Sequence, residues 1–93
     1  MAIIYYIDNE RNWKGYVGCS KNSLSHRWGQ HKYLLRRGVH PNSQLQKDWN
    51  KYGESNFRAF VLESCSEEDM LIREKYHINR LKTNIEEIGY NQK

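Results

Sequence analysis

"YVGCSKNSLSHRWGQHK", Tyr16–Lys32, is the stretch on which the fold turns. With Lys14-Gly15 before it, it opens as a strand, "KGYVGCS". It continues as a helix expected from about Ser23 to Arg37 and ended by Gly38. At about 100° per residue, Leu24, Trp28, Leu34 and Leu35 fall within one arc of roughly 120°. Arg27 and His31 fall inside the same arc. They are i and i+4, so their side chains converge. A guanidinium and an imidazole on an apolar helix face need a reason.

Upstream, "IIYYI", residues 3–7, reads as a strand, β-branched and aromatic, closed by Asp8-Asn9. The polar link "DNERNW" joins the two strands as a hairpin. Downstream, a second helix starts near Asn42 or Ser43 and ends at Gly53, with Leu45, Trp49 and Tyr52 as its apolar stripe. "FRAFVLE", residues 57–63, is apolar on both faces, so it is expected at the centre of the sheet, covered twice. Ser66-x-x-Asp69 reads as a capping box for a third helix to about Lys82. The tail "IEEIGYNQK" is irregular or briefly helical. The order is β-β-α-α-β-α. The expected fold is a small α/β (α+β) single domain spanning 1–93, a central three-stranded antiparallel sheet flanked by helices.

The third helix repeats the oddity with opposite charge. Met70, Leu71, Ile78 and Leu81 form its stripe, and Glu74 lies near the middle. A carboxylate buried there needs a cation or a metal. Three readings stand open: a structural ion pair between Glu74 and Arg27, snorkelling of both from the edge of a narrow interface, or a functional cleft.

Composition narrows the class. The chain has 93 residues, enough for one modest core, with 38% hydrophobic and 13% aromatic residues. No apolar run approaches a membrane span and the N-terminus lacks a signal peptide's features, so a cytoplasmic protein with no membrane partner is expected. Cys19 and Cys65 have no C-x-x-C spacing, which argues against structural zinc and for two ordinary thiols. Residues 1–60 hold ten Lys/Arg against four Asp/Glu, a net of +6, and residues 61–93 hold five against seven, a net of −2. A basic first two-thirds suits a polyanion such as nucleic acid. Lys14, Lys21, Lys32, Arg36 and Arg37 are the candidate DNA-binding residues.

Tyr5 and Tyr16 lie on adjoining strands and are able to project from one sheet face. Gly18 lets another group approach the backbone. His40 stands beside Pro41 at a helix junction. Each alone has an ordinary structural explanation. Together with Arg27, His31 and Glu74 they suit phosphodiester hydrolysis. A guanidinium neutralises the scissile phosphate, a carboxylate holds a divalent metal, and a phenol or imidazole moves a proton from water.

In order along the chain these residues resemble the GIY-YIG nuclease motif set. Ile3-Ile4-Tyr5 is similar to the first half and Tyr16-Val17-Gly18 to the second, with Ile3 where the family's glycine stands. Arg27 and His31 match the family's helix signature, His40 the later histidine of the phage intron-homing branch, Glu74 the metal-binding glutamate, and Asn91 in "GYNQK" the C-terminal asparagine. The resemblance covers essentially the whole chain and is strongest to catalytic domains of phage homing endonucleases. It implies a metal-dependent DNA endonuclease that leaves a 5′-phosphate and a 3′-hydroxyl. Glu74 would bind one Mg²⁺ or Mn²⁺, and Tyr5 would be general base, with His31 taking up its proton. Tyr16 and Arg27 would act on the phosphoryl group, His40 would be a phosphate or relay group, and Asn91 would order the pocket. The implied partner is double-stranded DNA, bound by a monomer that depends on a separate recognition module, in the host cytoplasm if the gene is a phage's. DNA binding by this chain alone is expected to be weak and salt-sensitive. The competing reading is a nucleic-acid-binding module of the same fold that does not cut. A structural interaction domain with a buried Arg–Glu pair is a third.

Overall fold

The computed structural model describes residues 1–92, and Lys93, the last residue of the expected domain, lies outside them. The elements are β1 (Ala2–Asn9), β2 (Gly15–Ser20), α1 (Leu24–Arg37), α2 (Ser43–Tyr52), a 3-10 turn (Glu54–Asn56), β3 (Phe57–Cys65) and α3 (Met70–Leu81). This is the expected order, and the strands form one antiparallel sheet. Caps account for the helix ends. Ser23 accepts from the His26 amide and Asn42 from the Leu45 amide, while Gly38 closes α1 at a φ of 75°.

One expectation is overturned. The strand order is β2-β1-β3, so β1 is central and β3 is an edge. Both strands are apolar on both faces, but β1 buries Ala2, Ile4, Tyr5 and Ile7, whereas Phe60 and Val61 of β3 are exposed. Arg58 and Glu63 give β3 the charges that suit an edge strand. Ile3, in place of glycine, packs against the core and leaves β1 an unbroken eight-residue strand.

The sheet's two faces are built differently. Tyr5 pairs with Gly18 and Ile7 with Tyr16, so by the two-residue period Tyr5, Ile7, Tyr16 and Gly18 share a face. That face carries the main core, with Leu35 of α1, Leu45 and Trp49 of α2, Phe57 and Tyr90. Ile4 and Val17 point the other way and are fully buried, and α3 packs on β1 and β2 there. The expected α3 stripe is incomplete. Leu71 is 68% exposed, and the buried residue of that helix is His77, bonded to Glu63.

The outer edge of β2 is covered by the C-terminal tail. Gly15 donates to the Ile88 carbonyl and accepts from the Tyr90 amide. The Asn91 side chain then accepts from the Val17 amide at 2.7 Å and donates to the Val17 carbonyl at 2.8 Å.

Candidate active site

A cleft opens beside this covered edge, where α1 from one face of the sheet and α3 from the other come together. Tyr16, Arg27, His31, His40, Glu74 and Asn91 line it. Six of the seven catalytic candidates therefore meet in one cleft, contributed by β2, α1, the α1–α2 connection, α3 and the tail. The seventh, Tyr5, lies directly beneath, 1% exposed, with its hydroxyl 2.6 Å from His31 Nε2. Its ring lies across Gly18. A Cβ there would fall 2.4 Å from the phenol, which is why glycine is needed at this point.

The Tyr5 contact is the end of a buried chain. His31 Nδ1 lies 2.7 Å from His40 Nε2, and His40 Nδ1 accepts the Asn42 amide at 3.0 Å. The connection carrying His40 is bolted down by Gln46, which accepts the His40 amide and donates to the Leu35 carbonyl. Burial and the nearby Arg27 cation push His31 down to about 3, and burial, with Arg27 adding, also lowers His40. Both imidazoles are neutral at neutral pH, each with one donor and one acceptor nitrogen. The direction of the chain follows. Asn42 N–H requires an unprotonated His40 Nδ1, so His40 donates from Nε2 to His31 Nδ1. His31 therefore carries its proton on Nε2 and donates it to the Tyr5 oxygen. The opposite set would face a donor against the Asn42 amide.

The charged side of the cleft is open. Arg27 and Glu74 form no ion pair with each other or with another charged group among the described residues. The structural ion-pair reading is therefore excluded. Arg27 donates to Gln30 of its own helix at 3.1 Å and lies close enough to the Tyr5 hydroxyl to favour its ionised form. Cys19, on β2, sits against Glu74. Burial and the adjacent Glu74 carboxylate hold its thiol up at about 12, so it stays protonated. Burial likewise raises Tyr5, opposed by Arg27, and raises Tyr16, with Glu74 adding. Asn91, with both ends of its amide on Val17, acts as a tether for the cleft wall.

Glu74 is the one carboxylate lining the cleft, and among the described residues no three His, Cys, Asp or Glu converge as a metal cage. A hard divalent cation fits such a place. Mg²⁺ is commonly held by one or two carboxylates, completing its shell with water and substrate phosphate.

The candidate DNA-binding residues scatter. Lys14 borders a second groove, Lys32 lies over Trp28, and Arg37 lies over Tyr33. Lys21 faces Glu67 at 3.9 Å, and Arg36 is held by both oxygens of Glu54. Sequence reasoning passed over Gln46, which fixes the His40 connection, and Lys47 and Lys51, which line the second groove with Lys14. The i, i+4 spacing of Lys47 and Lys51 on α2 was an available signal.

The catalytic domain of the GIY-YIG family matches residues 1–91. The chain belongs to that family. This GIY-YIG domain is 39% identical over 90 residues to intron-associated endonuclease 1 of Enterobacteria phage T4, covering 95% of the chain and 35% of that protein. The chain thus spans about a third of that relative's length. Its fold superposes on the catalytic domain of homing endonuclease I-TevI with a TM-score of 0.89 and 33% identity, covering 100% of this chain and 99% of the other. A mutant of the catalytic domain of intron endonuclease I-TevI matches with a TM-score of 0.87 and 34% identity, over 98% of this chain and 93% of that one.

Proposed function

We propose that this GIY-YIG nuclease domain is a metal-dependent endonuclease for double-stranded DNA, hydrolysing a phosphodiester bond to a 5′-phosphate and a 3′-hydroxyl. One observation carries the reading. Arg27 and Glu74 face one cleft, over a neutral hydrogen-bonded chain, without neutralising each other. A guanidinium and a carboxylate left apart suit a ligand that brings both an anion and a cation.

Glu74 would hold one Mg²⁺ or Mn²⁺, which when bound supplies positive charge at the scissile phosphate and the leaving 3′ oxygen. Arg27 binds a phosphate oxygen and stabilises the charge that grows there. Tyr5 is the general base in this reading. Its oxygen receives the His31 Nε2 proton as a hydrogen bond, so His31 stabilises the phenolate instead of taking up the Tyr5 proton. His40 holds His31 in the donating tautomer. Asn91 keeps Tyr16 in place by tethering the next residue on its strand.

A second reading rests on a specific observation: Tyr16, not Tyr5, lines the cleft. Tyr16 would then be the base and Tyr5 a buried support for His31. The relative's greater length supports a catalytic unit that depends on a separate DNA-recognition module, and its phage source supports action in the host cytoplasm; the unit is read as a monomer. No helix among the described residues is long and apolar enough to cross a membrane.

A plasmid-nicking assay with and without Mg²⁺, comparing wild type with Glu74→Ala, tests the function. Metal-dependent nicking by wild type alone is expected. Equal nicking by both would remove Glu74 as the ligand, and binding without nicking under any metal would favour the non-cutting module. pH–rate profiles of Tyr5→Phe and Tyr16→Phe separate the two bases, because the variant that loses the alkaline rise has lost the base.

A further inference from the structure

Outside the cleft lining, the β1–β2 hairpin tip carries a feature the cleavage chemistry does not use. Trp13 is 74% exposed and holds a left-handed backbone at a φ of 64°. That conformation costs a non-glycine residue about 1 kcal/mol, and exposing an indole gains nothing for the fold.

The tip is rigid. Asn9 is fully buried, accepts the Arg11 amide at 3.0 Å and donates to the Tyr90 hydroxyl. Asn12 accepts the Lys14 amide at 3.0 Å and donates to Asp48 of α2. The Trp13 amide closes the turn on the Asn9 carbonyl at 2.8 Å. The indole is therefore held out by a built loop.

Cations line the groove beside the hairpin. Lys14, Lys47 and Lys51 line the adjoining groove, and Arg11 and Lys51 both lie over the Tyr52 ring. None of these four makes an ion pair among the described residues. Two carboxylates share the groove. Asp48 is engaged by Tyr90 and Asn12, and Glu86 is exposed. A middle depression lies between this groove and the cleft. Gln44 and Glu86 border both the groove and the depression, which shares Asn91 and Gln92 with the cleft.

We infer that the hairpin tip and the outer face of α2 are a second DNA contact, seating the duplex beside the cleaved phosphate. Arg11, Lys14, Lys47 and Lys51 take backbone phosphates, and Trp13 lies against sugar and base edges. This rests on the endonuclease reading above and adds where the flanking duplex runs. Phosphate contacts fix register without reading sequence, and an aromatic group held at a groove contributes sequence-tolerant contact.

The test uses the whole domain with Glu74→Ala to prevent cutting, titrated with a short random-sequence DNA duplex at several salt concentrations, following tryptophan fluorescence. The expected result is a DNA-induced change that disappears in Trp13→Phe, although Trp28 and Trp49 remain. Trp13→Ala should weaken binding at least about 5-fold, the low end for aromatic–base contacts. Lys47→Ala with Lys51→Ala should reduce the slope of log affinity against log salt by about 2. These side chains are exposed, so unchanged circular dichroism is expected. An unchanged fluorescence response in Trp13→Phe together with an unchanged salt slope would overturn the inference while wild-type nicking kept the endonuclease reading. A response to an RNA duplex but not to DNA would overturn it as well. Wild type that neither nicks nor binds DNA would overturn the reading beneath it.

Discussion

Two clusters in this domain contain the same groups and are built in opposite ways. Glu63 of β3 accepts from Arg73 Nε at 2.9 Å and from His77 Nε2 at 2.8 Å, and Arg80 donates to His77 Nδ1. Arg73, with His77 adding, lowers the Glu63 carboxyl. Each charge there has a protein partner. In the cleft, Arg27, His31 and Glu74 repeat the inventory, but only the imidazole is closed into a chain. The first cluster pins α3 to the sheet. The second leaves Arg27 and Glu74 without an ion-pair partner among the described residues. Composition does not separate a structural cluster from a candidate functional one, but satisfaction does, because a group that already has all its partners has little free energy left to gain from a ligand.

The largest expected effect breaks the comparison at its two carboxylates. Glu74→Ala should lower cleavage about 10³-fold or more, the scale of losing a metal's several kcal/mol. The fold and DNA binding should persist, since an unpaired charge is removed. Glu63→Ala should do the reverse, lowering the thermal midpoint while keeping cleavage below it. Melting curves beside nicking rates check both. A Glu63→Ala protein that is stable but inactive would erase the distinction.

Next comes the neutral chain. Tyr5→Phe should lose about 10²–10⁴-fold in rate, the range of a general base. Because burial raises Tyr5, the wild-type rate should climb with pH above neutrality, as the small phenolate fraction grows. Gly18→Ala should approach the same loss through displacement of the ring. A pH-independent rate in wild type would end the phenolate reading.

Much of this was legible in the sequence, for local reasons. Ser23, Asn42, Gly38 and Gly53 mark helix ends through their own backbone and side-chain chemistry, and the i, i+4 spacing put Arg27 above His31. What was not legible depends on pairing between distant segments. "IIYYI" and "FRAFVLE" both put apolar residues on both faces, and although Arg58 and Glu63 hint at an edge for the second, it is pairing of the first with both β2 and β3 that makes it central. His77 looks like an ordinary helix histidine until Glu63 of β3 arrives beside it. The direction of the Tyr5–His31 bond is set by a backbone amide, Asn42 N–H, which no side-chain pattern encodes.

That direction gives a sharper, smaller test. Long-range ¹⁵N correlation at neutral pH should find His31 and His40 both protonated on Nε2, with Tyr5→Phe leaving this unchanged. His40→Gln, which still offers an N–H to His31, should stay within about 10-fold of wild type, whereas His40→Leu should lose more, as supports of a functional imidazole cost about 10–100-fold. A proton on His31 Nδ1 would reverse the chain and restore His31 as the acceptor.

Acid should loosen the same region. The folded His31 value is about 3, against 6.5 for the free group. As pH falls below 6.5 the unfolded chain takes up a proton that the folded chain refuses. Stability should therefore drop by up to about 1.4 kcal/mol per pH unit down to about 3, with His40 acting in the same direction. Denaturant titrations at pH 7 and 5 measure the drop, and His31→Gln should flatten it. An equal slope in that variant would assign the acid sensitivity elsewhere.

The smallest effect is expected where a basic residue most resembles a DNA ligand. Arg36 sits in the basic run Arg36-Arg37 and was a candidate phosphate contact. Its guanidinium, however, is held by both oxygens of Glu54, whose carboxyl it lowers. To meet a phosphate it would have to leave that partner, exchanging one charge-assisted pair for another. Arg36→Ala should therefore change DNA affinity less than about 2-fold and leave the salt slope nearly unchanged, because no counterion is released where no phosphate is bound. Arg36→Ala also frees Glu54, so the control is Arg36→Ala with Glu54→Gln, measured beside Lys51→Ala in one titration series. A loss of a full unit of salt slope in the double variant would show that Arg36 reaches the duplex despite Glu54. A protein-satisfied cation would then be available to a ligand after all, and the contrast between the two clusters would hold only for buried groups.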